Sequence, residues 1–122
     1  MKNEIDLSKI KAKELPEKKI KANFDGTEKE YIIRAFSDGE KVTAEAILQT
    51  TSNVNRIRDY YVFLISTAME IDQLIAVYLY DNVTDETIRV GQIIHEFIEE
   101  FENKKAEEAK AAEKNSKAEM TE

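Results

Sequence analysis

Cysteine and tryptophan are absent from this chain, proline and histidine occur once each, and there are three glycines. Without cysteine there is no disulfide and no thiolate metal site, which fits a reducing compartment. A metal centre needs three or four ligands. The single histidine, His95, with Glu99 four residues on, supplies half of one. The di-iron bundle pattern would need a glutamate three residues before the histidine, where this chain has Gln92. Gly26, Gly39 and Gly91 are too scattered for a phosphate-binding loop. No Ser, Cys or Lys nucleophile signature is present, and no isolated pair of acids suggests general acid–base chemistry. The expectation is a protein that is not an enzyme, with no cofactor and no metal.

Long uninterrupted apolar runs are missing too. The N-terminus lacks the apolar core of a signal peptide. The most hydrophobic stretch, residues 54–80, is interrupted by Arg58, Asp59, Glu70 and Asp72. An Asp or Arg at the centre of a membrane helix costs about 2.5–3.5 kcal/mol, so this is expected to be a core segment and not a span.

Charge is abundant but uneven: 35% of residues are charged, and the formal net charge is −7. Residues 1–21 hold seven lysines against four acids, whereas residues 22–101 hold six bases against fifteen acids. Phosphate contacts need a cationic surface, so the acidic body disfavours nucleic acid as the main partner. At 122 residues and 42% hydrophobic content the chain is one domain at most. The division expected is a flexible basic leader over 1–17, a hairpin plus helical domain over 18–103, and a charged, disordered tail over 104–122.

Taken in order, the leader carries a few aliphatics, Ile5, Leu7, Ile10 and Leu15, and ends near Pro16. It reads as a mobile arm, or as a segment that orders on a neighbouring subunit. Ile20, Ala22 and Phe24 then alternate with lysines and Asn23, and Asp25-Gly26 suits a two-residue hairpin turn. A tight turn there would set Lys21 opposite Glu30 and Ile20 opposite Tyr31, with a second strand over 31–36. Residues 37–40 read as another turn, and Thr43 as the cap of a short helix.

Ser52 or Asn53 is expected to cap the stretch the rest is organised around. Val54, Ile57, Tyr61, Leu64, Ala68, Ile71, Ile75 and Tyr78 recur in steps of three and four, one stripe on one helix. Neither glycine nor proline breaks it, so a single helix about 40 Å long is predicted at roughly 1.5 Å per residue. A chain this small could not cover it alone. Thr84 is expected to cap a last helix whose face is Val90, Ile94, Phe97, Ile98 and Phe101. The fold class predicted is therefore mainly α (α+β): an N-terminal β-hairpin on a small helical bundle, with one long central helix and an amphipathic C-terminal helix. Tyr60, Tyr61, Phe63, Leu74, Tyr78, Ile94, Phe97 and Phe101 are the candidates for a partner or self-association surface.

The arrangement resembles the small tail assembly chaperones of long-tailed phages and prophages of Gram-positive bacteria. The residues that carry the likeness are the leader ending in Leu15-Pro16-Glu17-Lys18-Lys19, the hairpin with its Asp25-Gly26 turn, Glu70-Ile71-Asp72-Gln73-Leu74 in a helical body, and the Ala/Glu/Lys tail after Phe101. The resemblance implies a non-catalytic chaperone that binds the tape measure protein, helps recruit tail tube subunits, acts in the host bacterial cytoplasm and is absent from the mature virion. It also implies a homo-oligomer, and a tail that precedes a programmed frameshift, with Lys104-Lys105 or Lys114-Asn115 as the residues an A-rich slippery run would encode. No motif of the family maps residue by residue. Two other readings stand beside it: a structural head–tail joining or neck component, and a small nucleic-acid accessory or regulatory protein acting through the leader lysines.

Overall fold

The computed structural model describes residues 3–10 and 14–120, with the side chains of the last helix placed as far as residue 113. Two antiparallel strands, β1 (Glu17–Ala22) and β2 (Lys29–Arg34), precede four helices: α1 (Asp38–Gln49), α2 (Arg56–Ala68), α3 (Gln73–Asn82) and α4 (Thr84–Met120). This is the α+β arrangement expected, a hairpin on a helical body.

The hairpin has the register the sequence implies, with Ile20 opposite Tyr31 and Lys21 opposite Glu30. Its turn is wider than expected. Pairing ends at Ala22 and Lys29, and the six residues between them are organised by side chains. Asn23 Oδ1 accepts from the Gly26 amide at 2.8 Å, and Asp25 holds both the Thr27 amide and the Lys29 ammonium. Gly26 adopts φ +93°, a conformation that costs glycine little. Ile20, Ala22 and Ile33 point inward while their neighbours Lys19 and Lys21 stay in water, as alternation along a strand requires. A two-stranded hairpin is marginal alone. Here α4 supports it: Arg89 donates to the Lys21 carbonyl, and the Asn23 amide donates to the Glu86 carboxylate.

Residues 37–40 are a helix start, not a turn. The Ser37 hydroxyl accepts from the Glu40 amide while the Glu40 carboxylate accepts from the Ser37 amide, a reciprocal capping box. Thr43 lies inside α1 and donates to the Gly39 carbonyl. Arg34, at the end of β2, pairs twice with Glu40 at 2.8 and 2.9 Å, which fixes α1 to the sheet.

The single long central helix is not what the chain forms. It breaks after Ala68, and α3 folds back on α2. The stop is a Schellman motif. Glu70 sits at φ +54°, the Ile71 amide donates to the Ser66 carbonyl, and the Glu70 amide donates to Thr67. Asp72 then caps α3 by accepting from the Leu74 amide at 2.7 Å. The return is held by Arg58, which pairs with Asp81 through two nitrogens, and by Tyr61 stacked on Tyr80. Neither Ser52 nor Asn53 is the N-cap of α2. Asn55 holds that position, and Asn53 binds its amide and the Asp59 carboxylate.

Val83 alone separates α3 from α4. Thr84 opens α4 but does not cap it, since its hydroxyl donates back to the Tyr80 carbonyl. The fully buried Thr87 shares its hydroxyl between the Val83 and Leu79 carbonyls, which ties the start of α4 to the end of α3. The core is one cluster that includes Ile33, Phe36, Leu64, Ile65, Val90 and Ile94. Phe36 meets Phe63 edge-on at 5.7 Å, joining the strand exit to α2. Residues 104–120, read from sequence as a separate tail, continue α4.

Candidate interaction surfaces

Helix α3 is buried on one side only. Ala76 is fully enclosed, whereas Leu74 is 78% exposed, Tyr78 67% and Ile75 53%. These three lie at i, i+1 and i+4, one face of two turns. Single exposed apolar residues need no explanation, but a contiguous group marks a contact surface. Val54, in the turn before α2, and Ile57 on α2 are also exposed.

A second surface lies where α1 and α4 both rest on α2. They run antiparallel and are pinned at one end, where Lys41 pairs with Glu102 and Lys105 with Asp38. Beyond that clasp they leave a groove of about 520 Å3. Its floor includes Phe36, Tyr60, Leu64 and Ile98, and its rim carries Glu45 and Glu99. Inside it Tyr60 and Nδ1 of His95 are 2.7 Å apart, and Nε2 of His95 is 3.0 Å from Glu99. A carboxylate can only accept, so Nε2 carries a proton, and in the neutral ring Nδ1 takes the Tyr60 hydroxyl. Burial, more than the neighbouring Tyr61 and Glu99, raises the Tyr60 pKa above the ordinary phenol range. The hydroxyl therefore remains a donor.

A third, smaller surface forms where Leu15 and Pro16 lie along Phe97 and Phe101 of α4. Lys18 sits over the Phe97 ring and Lys105 over the Phe101 ring, at 5.9 and 5.5 Å. Ahead of it Ile5, Leu7 and Ile10 stay exposed around a 3₁₀ turn, Leu7–Lys9.

The eight residues read from the sequence are thus spread over several places. Leu74 and Tyr78 stand on the open face of α3. Tyr60 lines the α1–α4 groove, Tyr61 and Phe63 are half-buried against other helices, and Phe97 and Phe101 carry the leader. Ile94 is fully enclosed in the core and offers nothing to a partner. Ile75, also exposed, belongs to the α3 face but was not among the eight.

Among the described residues no group of three or more His, Asp or Glu side chains is placed to hold a metal ion. Among them, too, no helix is long and apolar enough to cross a membrane. No protein family, curated protein or solved structure matches this chain.

Proposed function

We propose that this chain is a non-catalytic tail assembly chaperone of a long-tailed phage or prophage. In this reading it binds the tape measure protein, helps recruit tail tube subunits, and self-associates. It would work in the host bacterial cytoplasm and be absent from the mature virion. The observation that carries the reading is the outward face of α3, where Leu74, Ile75 and Tyr78 are left in water beside an acidic body. An assembly chaperone needs apolar surface for a helical client and enough net charge to stay in solution. In the groove, Tyr60, His95 and Glu99 are linked in a hydrogen-bonded chain that ends at the exposed Glu99 carboxylate.

The test is capture of the tape measure protein by the tagged full-length chain from a co-expressing cell. Retention of the client by the wild type, with loss on Leu74→Lys/Tyr78→Lys, supports the reading. A well-folded wild type that retains no client overturns it.

A further inference from the structure

We infer that the groove between α1 and α4 is a seat for an amphipathic helix of a separate polypeptide, one with an aliphatic ridge flanked by lysine or arginine. The inference rests on the chaperone reading and adds a second contact to it, distinct from the α3 face.

Shape gives the first argument. The groove has two antiparallel helices as walls and a third, α2, as floor, so an inserted helix would complete a four-helix arrangement. Leu64 and Ile98 present an aliphatic bed, and the Tyr60 ring is shared between the bed and the His95 hydrogen bond. This is the setting in which helices are recognised by apolar side chains spaced three and four apart.

Charge gives the second. Lys41, the one Lys or Arg among the described residues that line the groove, is already engaged with Glu102 and Asp38. Glu45 has no cation partner among the described residues, and Glu99 has only His95. Both carboxylates border the open part of the groove. A helix with acidic flanks would be repelled there, and one with basic flanks would be drawn in and oriented.

The chain's own basic arm is a poorer occupant. It approaches α4 along Phe97 and Phe101, which stand about 120–160° round the helix from His95 and Glu99 at roughly 100° per residue.

The experiment uses the full chain and three fluorescein-labelled synthetic peptides of about 18 residues, roughly five helical turns. One has a leucine ridge with lysine flanks, one the same ridge with glutamate flanks, and one the lysine composition with the ridge scrambled. By fluorescence anisotropy the first should bind at least about tenfold more tightly than the other two and weaken as salt rises. Glu45→Arg/Glu99→Arg, with folding verified by thermal melt, should weaken it by about tenfold or more. Leu74→Lys/Tyr78→Lys should leave it unchanged.

Equal binding of the glutamate-flanked peptide, or no effect of the charge reversal, overturns the inference. So does loss of binding in the α3 variant, which would place the peptide on that helix. Tighter binding by Leu7→Asp/Ile10→Asp would make the arm the resident of the groove and overturn it too. If no peptide binds but the tape measure protein is still captured, the groove inference fails and the chaperone reading stands. If capture fails as well, both fall.

Discussion

Gly91 of α4 lies flat against the ring of Tyr61 of α2: a β-carbon at position 91 would stand 2.8 Å from Cε1 and closer still to Cδ1. Glycine inside a helix costs about 0.5–1 kcal/mol relative to alanine, so the close approach explains its presence. The ring cannot swing away easily, because Tyr60 meets it edge-on at 5.9 Å and Tyr80 stacks on it. Gly91→Ala should therefore destabilise the fold. Overpacking of about 1–3 kcal/mol outweighs the helix-propensity gain of about 1 kcal/mol. A melting temperature several degrees lower is expected, with partial recovery in Gly91→Ala/Tyr61→Leu. A stabilised single variant would contradict the packing described.

Glu70 occupies a left-handed conformation at φ +54° that side chains other than glycine and asparagine seldom adopt. Its carboxylate reaches Arg34 at 3.3 Å but is largely exposed, so that pair adds little. Glu70→Gly should stabilise the chain by about 1 kcal/mol, and Glu70→Val should destabilise it. Urea midpoints measured for both variants check the sign, and the opposite order would refute the helix-stop geometry.

Arg34, by its hydrogen bonds more than by any other cause, lowers the Glu40 pKa from 4.5 to about 2, and the Ser37 amide adds to the effect. The stabilisation from this carboxylate is complete above its ordinary pKa of about 4.5 and is lost as pH falls from there towards about 2. Glu86 titrates in the same direction, held at about 2 chiefly by Arg89 and then by the Asn23 amide. Glu40→Gln should cost about 1–2 kcal/mol at neutral pH. It should also lose less on acidification than the wild type, because the group that titrates has gone. Denaturation curves at neutral and acid pH measure both. Equal losses on acidification would remove Glu40 from the account.

What the residues revealed and what they hid can be traced to particular positions. The hairpin register was legible because Lys21 and Glu30, and Ile20 and Tyr31, pair sensibly only in one alignment. The start of α1 was also written in the sequence as Ser37-Asp38-Gly39-Glu40, a capping box, but Asp38-Gly39 reads as a turn when its neighbours are ignored. The break between α2 and α3 was harder to see. The apolar stripe keeps its phase across residues 68–73, and the left-handed position is filled by Glu70 and not by glycine or asparagine. Asp72 as an N-cap was the one local sign. The groove could not be read at all, since it exists only because two helices distant in sequence share α2 as a floor.

The α3 face plays no part in the core, so Leu74→Lys/Tyr78→Lys should shift stability by no more than about 0.5 kcal/mol. Unchanged melting with lost self-association in concentration-dependent sedimentation is the expected pair of results. A folding defect in this variant would mean that the face is already covered within the chain.

Co-purification with the tape measure protein bears most directly on the central claim, that exposed helix surface on this small acidic body exists to hold a helical client. Light scattering behind size-exclusion chromatography should find the client in one peak with the wild-type chain. With Leu74→Lys/Tyr78→Lys the client should be lost or reduced at least about tenfold. A folded wild-type chain that elutes without client, or a variant that holds the client equally well, would contradict the account.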